Sequence, residues 1–275
     1  MSALPLVLVL SSAVLHASWN LVVKSSNDRL LAGWAQVVAA ALVMSPLVVL
    51  NPIPARILPF VALSAAVHTL YISSLVAAYE RGELSLVYPV ARGTAPLIVT
   101  IAAATLLDDI PSAGGIAAIL LVVIGILWLA RGTNTHGLGW ALVTAVTIAS
   151  YTLIDGASVR TLDTAVGYTG AVFIGNALLL TPTVLVRRGF GSIRQILLVE
   201  GGRNLLGGAA SAAAYVLVLA AARLAPLGLV SAFREISVVI GALAGWLVLS
   251  EPDGLRRLRG ASLVAVGLGV LVFIG

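Results

Sequence analysis

Long apolar runs recur along the chain, each close to the length that crosses a bilayer, and each ends at charge, proline or glycine. They cover 3–23, 30–50, 56–79, 84–107, 112–130, 137–157, 166–186, 203–223, 227–249 and 258–274. The runs are continuous rather than alternating, which excludes a β-barrel and predicts helices. The expected fold is therefore an all-α integral membrane protein of about ten transmembrane helices. Between the runs lie short polar segments, the longest over 187–202. No soluble domain is expected, so function must reside within the helices. The first run has no basic leading segment and no small-residue cleavage site, so it reads as a retained helix.

A second pattern lies over the first. Leu84-Ser-Leu-Val-Tyr-Pro-Val-Ala-Arg92 returns, altered, as Leu227-Gly-Leu-Val-Ser-Ala-Phe-Arg-Glu235, at a spacing of 143 residues. The same spacing carries Ala77-Ala78 onto Ala220-Ala221, Asp108 onto Glu251 and Arg92 onto Glu235. Two related halves follow, 1–133 and 134–275, joined near Arg131-Gly-Thr-Asn-Thr-His136. An odd number of helices in each half makes the second half enter the membrane from the opposite side, which is an inverted repeat.

Composition agrees with membrane residence: 60% of residues are hydrophobic and 10% charged, against about 25% charged in soluble proteins. The absence of cysteine excludes disulfides and thiolate chemistry. A net charge of +5 reads as arginine-rich loops that set topology, not as a nucleic-acid surface. Counted loop by loop, those arginines and lysines place the termini outside the cytoplasm.

Charge inside a span is costly, at least ~2.5–3.5 kcal/mol at helix-centre depth, so such residues face the bundle interior or a water-filled cavity. Arg92 and Glu235 each lie about two turns into their spans, separated axially by roughly 10 Å on that reckoning. They either flank a substrate path or staple the halves together. Arg234 points about 100° away from Glu235 around the same helix and needs its own partner, for which Asp155 is a candidate. His16, Trp19 and Asn20 share one helix face, as do His68 and Tyr71. Either histidine is a candidate proton site or a hydrogen-bonded helix contact. Tyr88, Tyr151 and Tyr215 are candidate cavity walls or ordinary packing residues. Pro89 and Pro96 remove backbone donors within one span and mark it as a gate or a static kink. No metal site is expected, because the histidines lack ligand spacing. Nucleotide motifs and a catalytic set are absent, so neither a cofactor nor an enzymatic activity is expected.

These motifs resemble the EamA branch of the drug/metabolite transporter superfamily. The resemblance runs over essentially the whole chain. It rests on the paired five-helix plan, on Leu15-His-Ala-Ser-Trp-Asn20 with Lys24, and on Gly82-Glu-Leu-Ser-Leu-Val-Tyr-Pro-Val-Ala-Arg-Gly-Thr-Ala-Pro96. The acidic positions Asp108-Asp109 and Glu251, and Tyr151-Thr-Leu-Ile-Asp-Gly156, complete it. It implies a secondary transporter in the cell (inner) membrane, multi-pass, exporting amino acids or other small polar metabolites by alternating access around a central cavity. It also implies cytoplasmic termini, against the loop charges, and the basic residue usual after the acidic turn is missing at Asp109-Ile-Pro111. Expected partners are a small-molecule substrate, the lipid bilayer and a coupling proton, without nucleic acid, in a monomer or homodimer. Both charge signs on the path favour a zwitterion. Alternatives are an importer or passive facilitator of similar solutes, multidrug efflux, and a non-transporting scaffold or lipid-handling subunit.

Overall fold

The computed structural model describes residues 3–81, 84–129, 136–237, 239, 240, 263 and 266. Among them are eight α-helices, one short 3-10 turn and no strand. The helices are α1 (Ala3–Lys24), α2 (Arg29–Leu50), α3 (Leu58–Arg81), α4 (Leu84–Leu106), α5 (Ala113–Leu129), α6 (Leu138–Val159), α7 (Val166–Ala222) and α8 (Leu227–Arg234), with the 3-10 turn Ala55–Ile57 leading into α3. Five stretches are long and apolar enough to cross a membrane: Ala3–Val23, Arg29–Leu50, Ala55–Ala78, Leu138–Val159 and Val166–Ala222. The expected count of ten helices is not found among the described residues. Glu251, most of the span over 258–274 and most of the join at 131–136 lie outside them.

Side chains are sorted opposite to those of a water-soluble protein. Val186 is 88% exposed and Leu206 74%, while Arg92 is 3% exposed and Asp155 0%. A surface of bare aliphatic residues over a charged interior suits hydrocarbon outside and a polar path within.

Two sequence expectations are corrected by the long element α7. The segment 187–202 is not a loop, and the helix expected from 203 begins far earlier. Helix runs on both sides of Gly189, which alone leaves helical geometry (φ 75, ψ 162). A left-handed φ is open to glycine without the Cβ clash other residues meet, so one residue makes the turn. Beyond it, Ile193 and Ile196 pack with Leu180, Val184, Leu30, Leu31 and Trp34. The Arg188 Nε donates to Asp28 at 2.6 Å. Asp28 also caps α2, accepting from Leu30 N and Leu31 N at 3.1 Å each.

α2 lies along α7, and small residues allow the approach. A Cβ on Gly208 would stand 2.5 Å from the Gln36 carbonyl oxygen and 2.8 Å from Ala40 N. Only glycine fits backbone to backbone at that spacing.

α4 continues unbroken past Pro96, and the Thr100 hydroxyl donates to the Pro96 carbonyl at 2.7 Å. α8 stops at Arg234, and Glu235 sits in a turn before helix resumes at 236. The Glu235 amide donates to Ala232 O at 3.0 Å, tightening that last turn.

Candidate functional site

α8 is short, so its placement must come from outside. Asp109 and Arg160 supply it. Asp109 accepts from Leu227 N at 2.7 Å and from Arg160 Nη2 at 2.9 Å. Arg160 donates in addition to Ala222 O at 2.8 Å and Ala225 O at 2.9 Å. One ion pair thereby ties the α4–α5 turn, the end of α6 and the α7–α8 turn together. Leu227 then seats against α6, where a Cβ on Gly156 would meet Leu227 Cδ2 at 2.6 Å.

Held this way, α8 brings Glu235 to Arg92. The Arg92 Nε donates to Glu235 Oε2 at 3.1 Å, and Nη2 reaches Oε1 at 3.0 Å, a forked pair. Arg92 Nη2 also approaches Ser237 Oγ at 3.4 Å. The axial gap estimated from sequence is therefore closed by the side chains themselves. Two residues 143 positions apart thus meet inside the protein, with Glu235 only 2% exposed.

Asp155 does not pair with Arg234, contrary to expectation. Its Oδ1 accepts from the Tyr168 hydroxyl at 2.6 Å, and its Oδ2 accepts from the Tyr215 hydroxyl. Around Tyr215 an aromatic box forms. His68 stacks on Tyr151 at 4.1 Å between ring centroids and meets Tyr215 edge-on at 5.5 Å. Tyr71 stands 5.8 Å from Tyr151, and Phe173 stands 6.1 Å from Tyr215. His68 Nδ1 lies 3.0 Å from the Ser64 carbonyl oxygen. The Ser64 hydroxyl lies 3.2 Å from the same nitrogen.

On α1, His16 and Trp19 meet edge-on at 4.8 Å. Asn20 does not join them: its Nδ2 donates back to the His16 carbonyl at 2.8 Å, which spends it on its own helix. The indole Nε1 of Trp19 is buried and has no acceptor. Arg234 is 8% exposed, and no hydrogen bond or ion pair joins its guanidinium to another described residue. Its charge reaches His16, His68, Tyr215 and Glu235.

Arg92, Glu235, Arg234, His16, Trp19, His68, Tyr71, Tyr151, Tyr215 and Asp155 thus form one neighbourhood. The side chains of Tyr88, Pro89 and Lys24 lie outside those described. Sequence reading missed Tyr168, although it follows Asp155 across a short turn, and it missed Ser64. It also missed a polar stripe between α2 and α7, where both side-chain polar atoms of Gln36 and of Asn204, and Glu200 Oε2, are buried without a partner. No group of His, Asp or Glu able to hold a metal occurs among the described residues.

Comparison with known proteins bears on the fold. No family model matches the sequence, and no curated protein matches it. Solved structures do match: one, described only as a crystal structure of a protein, superposes with a TM-score of 0.77 over 100% of this chain and 98% of its own, at 13% identity. A likeness at that identity establishes the fold alone.

Proposed function

We propose that the chain is a secondary transporter of small polar metabolites, working by alternating access in the cell (inner) membrane. On this reading it is an exporter of the EamA kind, with ten spans in two inverted five-helix repeats and a substrate site between them. The observation that carries the reading is the buried polar neighbourhood of Arg92, Glu235, Arg234 and Asp155, walled by aromatic rings and enclosed by a lipid-suited exterior. A scaffold has no use for charge at that depth, because each buried charge costs insertion energy and needs compensation. The approach of Arg92 to Glu235 across the repeat spacing supports an interface between halves. The phenol-bound Asp155 and His68 are candidate proton carriers, and the lipid bilayer is the remaining partner.

Counterflow of a labelled amino-acid mixture into preloaded liposomes tests this. Asp155→Asn is expected to slow it about tenfold or more, since a charged acceptor becomes a neutral one, with an unchanged gel-filtration profile. Absence of counterflow with the unaltered protein overturns transport of this substrate class, and full-rate counterflow by Asp155→Asn overturns the site.

A further inference from the structure

The turn at Gly189 carries charge that the bundle does not use. Contacts along the segment after it bind that segment to the start of α2. Ile193 and Ile196 pack with Leu30, Leu31 and Trp34. Arg188 Nε donates to Asp28 at 2.6 Å. Arg203 Nη2 donates to Ser25 Oγ, and Ser26 Oγ lies 3.5 Å from Glu200 Oε1. Arg29, Arg187, Arg188, Arg194 and Arg203 are thereby gathered at one corner, all of them exposed. The acidic groups in these contacts are Asp28 and Glu200. Arg188 is spent on Asp28 and Arg203 on Ser25. Among the described residues, no hydrogen bond or ion pair engages the guanidinium of Arg29, Arg187 or Arg194.

The corner lies where hydrocarbon gives way to headgroups: α1 ends and α2 begins there, and both are long and apolar enough to cross a membrane. Phe190, Arg194, Leu197 and Leu198 follow the spacing of one helix face. Phe190 is 72% and Leu198 70% exposed. A guanidinium among exposed apolar side chains reaches headgroup depth while they enter the acyl region. Beyond the other end of α6 the arginine is satisfied internally, with Arg160 shared between Asp109, Ala222 O and Ala225 O.

We infer that this corner binds an anionic phospholipid, its phosphodiester held by Arg29, Arg187 and Arg194 and its chains lying against Phe190, Leu197 and Leu198. The ligand is a lipid and not the transported solute, so the site stands apart from the transport reading. Basic clusters beside a span attract anionic headgroups, and a planar guanidinium matches a pair of phosphate oxygens. A zwitterionic headgroup brings a cation with its phosphate and gains less. A headgroup on these arginines bridges α2 to both sides of the Gly189 turn, and so steadies from outside what Arg188 and Asp28 hold from within.

The test titrates the full chain, purified in detergent, with phosphatidylglycerol and with phosphatidylcholine of identical chains, and reads the bound fraction by native mass spectrometry. Phosphatidylglycerol is expected to bind about tenfold or more tighter, with a preference that shrinks as salt rises. Each of Arg29→Gln, Arg187→Gln and Arg194→Gln should weaken phosphatidylglycerol about three- to fivefold and leave phosphatidylcholine within about twofold. Arg56→Gln, at an exposed arginine beyond the opposite end of α2, should change neither. Melting in lipid-free detergent checks that the variants fold; should one not, the ranking of the two lipids on the unaltered protein decides. Equal affinity for the two lipids, unchanged phosphatidylglycerol affinity in the folded triple variant, or an equal loss in Arg56→Gln overturns the site. Displacement of phosphatidylglycerol by millimolar inorganic phosphate at fixed ionic strength overturns the lipid as its occupant, and retention upholds it.

Discussion

Removing one partner of the Arg92–Glu235 pair should be far more harmful than removing both. At the 3.0 Å contact, two unit charges attract by about 5–6 kcal/mol at an effective dielectric near 20. Taking each ion out of water costs several kcal/mol, so the intact pair adds little net stability. The single variants face a different balance. Glu235→Leu leaves the Arg92 guanidinium buried without its carboxylate, and Arg92→Met leaves the Glu235 carboxylate with none of its described hydrogen bonds. Each should lose about 3–5 kcal/mol. The double variant fills the volume with apolar groups and should lose under about 2 kcal/mol, so the double-mutant cycle closes with a coupling of several kcal/mol. Unfolding titrations with SDS in mixed micelles, followed by tryptophan fluorescence, measure all four corners. Singles that cost under about 1 kcal/mol, or a double equal to the sum of the singles, would refute the argument and mean that water reaches the pair.

Three further outcomes follow from the packing. Asp109→Ala strands the Leu227 amide and the Arg160 guanidinium and should cost about 2–3 kcal/mol, whereas Asp109→Asn keeps an acceptor and should cost about 1; equal thermal midpoints for the two variants would contradict this. Gly208→Ala places a Cβ against the α2 backbone and should cost about 1–3 kcal/mol, while Gly201→Ala, with nothing within 4 Å of its added Cβ, should be neutral or stabilising in the same melt. Gln36→Met removes a buried amide that has no partner and keeps its length, so the melting temperature should rise; a fall would mean that the amide is bonded to water or a ligand.

The sequence made much of this legible because membrane spans obey a simple length rule and charge inside them is conspicuous. Arg92, Glu235, Arg234, His16, His68 and Asp155 stood out as polar residues in apolar runs, and the structure gathers them into one neighbourhood. Pairing was harder to read. Arg234 was assigned to Asp155 by charge, yet tyrosine hydroxyls reach Asp155 first, and a phenol in an apolar run looks like packing. The repeat spacing aligned Arg92 with Glu235, but linear rise alone suggested a gap that two long side chains close. The 187–202 segment misled through its arginines and glycines, which mark a helix end in water but are tolerated by helices packed on others. Gln36 and Asn204 were passed over because a lone amide carries no charge to draw notice.

The adjacency of Arg234 and Glu235 has a mechanical meaning. Glu235, at the end of α8, reaches Arg92 of α4, while Arg234 closes the last turn of the same short helix. α8 is eight residues long and ends at that very place, so it is held at its start by Asp109 and at its end by the pair with Arg92. The Asp109–Arg160 tie and the Arg92–Glu235 clasp are therefore the two ends of one short strut, and loosening either leaves α8 moored by the other alone.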